Sequence, residues 1–142
     1  MKGRGQFNKA HPTHFDFGAY QRKPFGESSF NRLVRQYKAN AARRGREFAL
    51  SDELVRSLTG SPCVYCLRPP SQVMRSSDSN GHYLYNGIDR VDPAIGYLTS
   101  NCVSCCKVCN KAKSNMSAPE WLDFRERIAA ALCSASQLET RS

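Results

Sequence analysis

The chain has 142 residues, enough for one domain with little left for a second. Its 21 Lys and Arg residues outnumber its 12 Asp and Glu residues, and the net charge of +9 favours a polyanionic partner, most simply nucleic acid. No segment approaches the roughly 18 apolar residues of a transmembrane helix, and no apolar stretch follows the N-terminus. We therefore expect a soluble, intracellular protein that is not secreted.

The chain divides by composition into two parts. Residues 1–27 are polar, basic and Gly-rich without apolar periodicity, so we predict a basic, irregular N-terminal arm. Residues 28–142 contain the periodic segments and are predicted to form the folded domain. Its first helix is expected to be capped by Ser28 or Ser29 and to end just before Gly45.

Short elements are predicted between this helix and the first cysteines. Residues 47–50 are predicted to form a strand, and Ser51 is predicted to cap a second helix that ends at Gly60. Residues 68–80 are polar without a regular pattern and are predicted to form a loop.

A β-hairpin and two helices are predicted in the second half of the chain. Residues 83–91 and 97–103 can pair across residues 92–96, where Asp92 is expected to cap the turn. A short helix follows the hairpin, and the capping box of residues 117–120 opens a final helix. The apolar residues of that helix are expected to face inward: Trp121, Phe124, Ile128 and Leu132.

Four of the seven cysteines form two Cys-x-x-Cys pairs, the spacing with which proteins hold a tetrahedral zinc ion. The pairs are Cys63 with Cys66 and Cys106 with Cys109. Since no secretion signal is visible, zinc binding in a reducing compartment is a better account of these cysteines than a disulfide framework. Cys102 and Cys105 also form a Cys-x-x-Cys, and spacing alone allows them to replace the second pair.

The sequence between and after the cysteine pairs supplies oxygen ligands. Asp89 lies within residues 86–92, which read Asn-Gly-Ile-Asp-Arg-Val-Asp, and Asn110 comes directly after the second pair. Carboxylate and amide oxygens suit a hard cation such as magnesium. A structural zinc that frames an oxygen-lined site points to metal-dependent phosphate chemistry.

These motifs resemble those of the HNH endonuclease superfamily, whose ββα-metal core is often clamped by a four-cysteine zinc. The chain is most similar to small phage-type HNH proteins that share its Gly-Ile-Asp-Arg-x-Asp hairpin at residues 87–92. They also share its Asn-Cys-Val-x-Cys-Cys-x-x-Cys-Asn-x-x-Lys ending at residues 101–113. The resemblance implies an α+β domain with a zinc-clamped, treble-clef-like core at residues 63–113 and flanking helices. It favours Cys106 and Cys109 as the second zinc pair, because the family places Asn directly after that pair.

The resemblance also implies a catalytic site. Asp89 and Asn110 would hold a magnesium or manganese ion, and Asn101 would tie the connecting loop to the first strand. Arg90 stands where the family usually has the histidine that activates water. Because an arginine does not release its proton in proteins, Arg90 is expected to touch the scissile phosphate instead.

Three outcomes therefore stay open for the proton transfer. The metal alone can lower the pKa of its bound water, another residue can replace the base, or the site can be inactive. His82 is the only histidine of the core, and a straight strand would place it roughly 23 Å from Asp89.

Basic residues on either side of this site are expected to contact phosphates. They are Arg43, Arg44, Arg46, Lys107, Lys111 and Lys113. The sequence thus predicts a metal-dependent HNH-type endonuclease that cleaves DNA. The alternative is a non-catalytic nucleic-acid-binding protein on a degenerate HNH fold, a structural member of a nucleoprotein assembly with RNA as a further candidate partner.

Overall fold

The computed structural model describes residues 23–77 and 80–139, with side chains to residue 135. Most of the predicted arm, residues 1–22, lies outside the described residues. The rest is a mixed α+β chain with two small sheets and a single 3₁₀ turn at Thr99–Asn101. In chain order its elements are α1 (Glu27–Arg43), α2 (Asp52–Gly60), β1 (Gln72–Arg75), β2 (His82–Tyr85), β3 (Gly87–Arg90), β4 (Cys102–Cys105), α3 (Lys107–Lys113) and α4 (Ala118–Glu139).

Helix α1 begins at Glu27, two or three residues earlier than a cap at Ser28 or Ser29 predicts. Gly26 is its N-terminal capping residue, with φ of 77°. A side chain there would place its Cβ 2.6 Å from the carbonyl oxygen of His82, so the position requires glycine. The predicted cap at Ser28 or Ser29 was therefore wrong. Ser29 is buried inside the first turn, and its hydroxyl donates to the carbonyl of Gly81 at 2.8 Å.

The first sheet is the antiparallel pair β1–β2, with Gln72 opposite Tyr85. Strand β1 lies in the segment predicted to be a loop, and that prediction was wrong. The predicted strand 47–50 was also wrong, because this segment makes only an isolated bridge between Phe48 and Tyr97. The long strand predicted at residues 83–91 is divided into β2 and β3.

Asn86 divides the two strands. Its side chain is fully buried and donates to the carbonyls of Ser61 and Arg68 at 2.9 and 3.1 Å. Its backbone N–H donates to Thr59 at the end of α2 instead of to a strand. The chain therefore leaves the first sheet at Asn86 and enters the second.

The second sheet is the antiparallel pair β3–β4, in which Gly87 faces Cys105 and Arg90 faces Cys102. Pairing of these two segments was predicted, although the connection of residues 91–101 is longer than the predicted turn. Ile88 of β3 enters the main apolar core. That core also contains Phe30, Val34, Leu50, Val55 and Cys102.

Helix α4 is anchored mainly at its N-terminal end. Trp121 is buried, but Ile128 and Leu132 are 45% and 66% exposed. The prediction that these last two residues face inward was wrong, because both side chains remain largely open to solvent. None of the helices within residues 23–77 and 80–139 combines the length and apolarity that a membrane crossing requires.

Candidate metal centre and candidate active site

The two cysteine pairs converge on one point. The sulfur atoms of Cys63, Cys66, Cys106 and Cys109 all lie within 4.8 Å of one another, and those of Cys66 and Cys106 are 3.6 Å apart. Tetrahedral zinc with Zn–S bonds of about 2.3 Å separates its sulfurs by about 3.8 Å. The four-cysteine cluster therefore has the dimensions of a metal site and can hold a metal ion.

Local backbone geometry presents these sulfurs. After Cys63, the chain makes a tight turn in which Leu67 adopts a left-handed conformation with φ of 62°. The turn is closed by hydrogen bonds from the N–H of Leu67 to Cys63 and from the N–H of Cys63 to Arg68. At the other pair, Cys106 caps α3 and its sulfur accepts from the N–H of Cys109. One pair thus lies on a turn and the other on a helix N-terminus.

The structure resolves which second pair converges on the first. Cys102 and Cys105 are the two ends of β4, and side chains three apart on a strand point to opposite faces. Cys102 packs in the main core, where burial raises the pKa of its thiol to about 11. Cys105 packs beside the cluster and donates to the carbonyl of Cys106. Neither is within the group that can hold a metal.

The cysteines of the cluster differ in how readily they lose a proton. Burial raises the pKa of Cys63, but the N–H groups of Cys106, Cys66 and Tyr65 outweigh it and lower that pKa to about 6. Burial and the neighbouring thiols raise the pKa of Cys109. Four thiolates this close would repel one another, so a bound cation is what would allow all four to ionise.

A cleft with a volume of about 500 Å³ opens beside the cluster, between β3, α3 and the loop that follows β3. Asp89, Arg90 and Asn110 all line it, so the structure brings together three of the four residues predicted to be catalytic. Arg44, Lys107 and Lys111 line it as well. The cleft thus combines oxygen ligands with basic side chains.

Asp89 is buried and held by two side chains. The hydroxyl of Tyr65 donates to its Oδ2 at 2.8 Å, and the ammonium of Lys113 lies 3.3 Å from the same oxygen. Lys113 also donates to the carbonyl of Arg90 at 3.0 Å. A buried carboxylate needs such a partner, because its charge is costly to remove from water.

Lys113 therefore corrects one of the sequence-based expectations. It was expected among the phosphate-contacting residues, but its side chain is only 1% exposed. Its ammonium compensates the charge of Asp89 inside the protein. The sequence alone gave no sign of this, because the partner lies 24 residues away on a strand.

Sequence reasoning did not identify Tyr65 as a site residue. Burial, and then the hydrogen bond to Asp89 and its charge, raise the pKa of Tyr65 far above its ordinary value, so the phenol remains a donor. Its ring lies edge-on to Trp121, and its backbone carbonyl accepts from Arg125 at 3.0 Å. The only available signal was its place between two predicted metal ligands.

Arg90 is engaged with its own loop. Its guanidinium donates to the carbonyls of Pro93 and Ile95 at 2.8 and 2.9 Å and lies 5.4 Å from the ring centre of Tyr97. The side chain is partly exposed and still lines the cleft. His82 belongs to the other sheet, lies against Phe25 and is not among the residues that line this cleft.

Asn101 connects the two ends of the same loop. Its side-chain oxygen accepts from the N–H of Asp92 at 2.9 Å, and its amide donates to the carbonyls of Asp92 and Gly96 at 3.0 Å each. Asp92 in turn accepts from the N–H of Ala94 at 2.8 Å, which is a turn-capping contact. Asn101 is buried under the loop and does not line the cleft.

The remaining basic residues differ in their surroundings. Arg44, Lys107 and Lys111 are exposed and form no ion pair within the described part of the chain. Arg43 is exposed and bonds to Asn40, whereas Arg46 donates to the carbonyl of Ala94. Three uncompensated cations therefore face the cleft that contains Asp89.

The donors in the cleft also suit a hard cation. Within residues 23–77 and 80–139, the polar side-chain contacts of Asp89 with Tyr65 and Lys113 both use Oδ2, which leaves Oδ1 for a ligand. Asn110 is half-buried on α3 and lines the same cleft. A carboxylate oxygen and an amide oxygen are the ligand types that magnesium and manganese accept.

Comparisons with known proteins agree with the fold and leave the activity open. No family model matches the chain. An uncharacterized protein of Acanthamoeba polyphaga mimivirus is 31% identical over 87 residues, which are 61% of this chain but 14% of that protein. The solved structure of the rare-cutting HNH restriction endonuclease PacI is similar over 75% of this chain and 81% of its own, with a TM-score of 0.50 and 22% identity. The chain therefore has an HNH-like fold.

Proposed function

We propose that this chain is a metal-dependent HNH-type endonuclease that cleaves phosphodiester bonds in DNA. One observation carries the proposal: Asp89 and Asn110 line the same cleft as three uncompensated basic side chains, on an HNH-like fold. Cleavage of a phosphodiester needs charge neutralisation at the phosphate and an activated water. The cleft offers residues suited to both requirements.

Each residue has a defined task in this proposal. Arg44, Lys107 and Lys111 bind the phosphates that flank the cut, because their charges are exposed and unpaired. Asp89 and Asn110 hold a magnesium or manganese ion, which supplies charge neutralisation and a lowered water pKa when bound. Arg90 contacts the scissile phosphate with the guanidinium nitrogens other than Nη1, because Nη1 donates to two loop carbonyls. The four cysteines hold zinc.

A magnesium-dependent nicking assay tests the proposal. Supercoiled plasmid should be nicked in the presence of magnesium or manganese and remain intact without them. Asp89→Asn should lower the rate by about 100-fold or more, because it removes the charge of a ligand. Asp123→Asn is the matched control, since Asp123 is an exposed carboxylate on α4 that pairs with Arg127. Equal rates for the two variants would contradict the assigned role of Asp89.

A second candidate function has one observation in its favour. None of the described residues that line the cleft is a histidine, and Arg90, which cannot act as a base, donates to loop carbonyls. These facts suit a nucleic-acid-binding protein that uses the same basic cleft without cutting. It would act as a structural member of a nucleoprotein assembly, with RNA as a further candidate partner.

Binding and cleavage measured together separate the two candidates. Both predict an affinity for nucleic acid that falls steeply with salt, because each neutralised phosphate releases counterions. Only the enzyme predicts that the parent cleaves with a divalent cation. A parent that is inert with every divalent cation, and that Arg90→His makes active, would establish the non-catalytic function. A parent that cleaves, and that Arg90→His slows, would establish the enzyme.

A further inference from the structure

Tyr65 connects three parts of the molecule that the proposed function uses. It lies in the turn that carries the first cysteine pair of the four-cysteine cluster. Its hydroxyl donates to Oδ2 of Asp89 at 2.8 Å. Its ring and backbone contact α4, through Trp121 at a centroid distance of 5.5 Å and through the 3.0 Å hydrogen bond from Arg125.

These contacts fix the hydroxyl before any ligand arrives. The backbone of Tyr65 cannot shift without moving the cysteines on either side of it. Its ring cannot rotate freely because Trp121 packs edge-on against it, and the guanidinium of Arg125 lies 5.8 Å from its centre. The donor is therefore placed by the cluster and by α4 rather than by the cleft.

The carboxylate of Asp89 has a different task for each oxygen. Within the described residues, Oδ2 accepts the hydrogen bond from the hydroxyl of Tyr65 and pairs with the ammonium of Lys113, and Oδ1 makes neither contact. A carboxylate rotates as a unit, so a fixed Oδ2 also fixes Oδ1. Since Asp89 lines the cleft together with Asn110, Oδ1 is the oxygen left for a cation.

We infer that Tyr65 is a positioning residue, whose hydroxyl aligns Asp89 so that Oδ1 is presented to a divalent cation. The inference rests on the proposed function. It gives the four-cysteine cluster a role beyond stabilising the fold, because Tyr65 lies between two of its cysteines and also holds Asp89 in the cleft. Hydrogen-bond partners behind a metal ligand typically contribute about 10- to 100-fold in metal affinity or activity.

Manganese binding to the full, zinc-loaded chain tests this inference. Tyr65→Phe removes the hydroxyl and keeps the ring against Trp121. Titration with Mn²⁺, followed by the electron paramagnetic resonance signal of the free ion, should show affinity reduced by about 10-fold or more. The Mn²⁺ concentration for half-maximal nicking should rise by the same factor. Zinc content, and DNA affinity without added Mn²⁺, should not change.

Tyr83→Phe is the matched control. It also removes one tyrosine hydroxyl, which lies 2.9 Å from the hydroxyl of Thr59 and outside the cleft. It should leave the affinity for Mn²⁺ unchanged, even if it lowers the melting temperature as much as Tyr65→Phe does. A merely structural role for Tyr65 predicts instead that both variants lose stability and neither loses Mn²⁺ affinity.

Each remaining outcome overturns the inference in a distinguishable way. If the parent binds Mn²⁺ and Tyr65→Phe binds it equally well, the inference fails alone. If the parent binds no Mn²⁺, the inference and the proposed cation site fail together. Loss of zinc from Tyr65→Phe also counts against it, because Tyr65 would then be needed to build the four-cysteine cluster.

Discussion

Each of the two antiparallel strand pairs contains four residues per strand, but the pairs differ in how much protein covers them. In the β1–β2 pair, Val73 and Leu84 face each other and are 48% and 49% exposed. In the β3–β4 pair, Ile88 and its partner Ser104 are 3% and 6% exposed. Both pairs align four residues of one strand with four of the other, so the difference comes from what packs on their faces.

The covered pair carries the candidate chemistry. Strand β3 contacts both α2 and α3, and its Ile88 lies in the main core. Its Asp89 is held by Tyr65 and Lys113, which come from two different parts of the chain. The β1–β2 pair packs on α1, and β2 also contacts α2, but Val73 and Leu84 stay about half exposed. A side chain that must hold a fixed position for catalysis needs the rigidity that such packing provides. The comparison predicts that mutations in the two pairs will differ widely in effect.

Loss of the metal should have the largest effect. Cys66→Ser should lose zinc and disrupt the β3–β4 pair and α3, because a structural zinc contributes apparent free energies of about 10 kcal/mol or more, as much as a domain's whole stability. Amide hydrogen exchange should show protection lost from β4 and α3. The control Cys133→Ser changes an exposed cysteine on α4 and should keep its zinc. A folded Cys66→Ser protein with one zinc per chain would contradict the four-cysteine assignment.

Removal of one partner of the buried ion pair should have the next largest effect. Lys113→Met leaves Asp89 buried without its compensating charge and should lower the free energy of unfolding by about 3–5 kcal/mol. Urea denaturation measures this change. The double variant with Asp89→Asn should recover a large part of the loss, because neither charge is then left unpaired. A loss below about 1 kcal/mol for Lys113→Met alone would mean that Lys113 is not buried.

A cavity in the covered β3–β4 pair should lower the free energy of unfolding somewhat less than Lys113→Met does. Ile88→Ala removes an apolar side chain from the main core and should lower the free energy of unfolding by about 2–5 kcal/mol. Denaturant unfolding of the zinc-loaded protein gives the value. A cost as small as that of a surface substitution would contradict the contrast between the two strand pairs.

The same kind of truncation in the exposed pair should have the smallest effect. Val73→Ala shortens a half-exposed side chain of β1 and should change the free energy of unfolding by less than about 1 kcal/mol. It should leave Mn²⁺ binding and DNA binding unchanged, because Val73 does not line the cleft. A cost equal to that of Ile88→Ala would show that an unseen partner covers β1.

Local patterns predicted those parts of the fold that depend on local chemistry. The second helix was predicted from Ser51, whose hydroxyl does accept from the N–H of Leu54 at 3.2 Å. The pairing of β3 with β4 and the convergence of two Cys-x-x-Cys pairs were also predicted. Strand β1 was missed because its four residues, Gln-Val-Met-Arg, show no clear alternation. It becomes a strand only because β2 lies beside it.

Features that depend on distant partners could not be predicted. The serines in the first turn of α1 are good capping residues by type, but Gly26, which lies close to His82, is the residue that caps the helix. Lys113 has the sequence context of a surface lysine, and its burial follows from Asp89. Ile128 has the spacing of a core residue, yet nearly half of its surface stays exposed, because burial depends on what packs beside the helix.

The loop after β3 has a further consequence for how the cleft meets a ligand. Asn101 joins both ends of this loop, and Arg90 donates to two of the loop carbonyls. Gly96 lies so close to Glu47 that a Cβ on Gly96 would come within 2.6 Å of the carbonyl oxygen of Glu47. One wall of the cleft is thus already ordered in the free protein. Because that wall loses little conformational entropy when a ligand binds, more of the contact energy between ligand and protein appears as affinity.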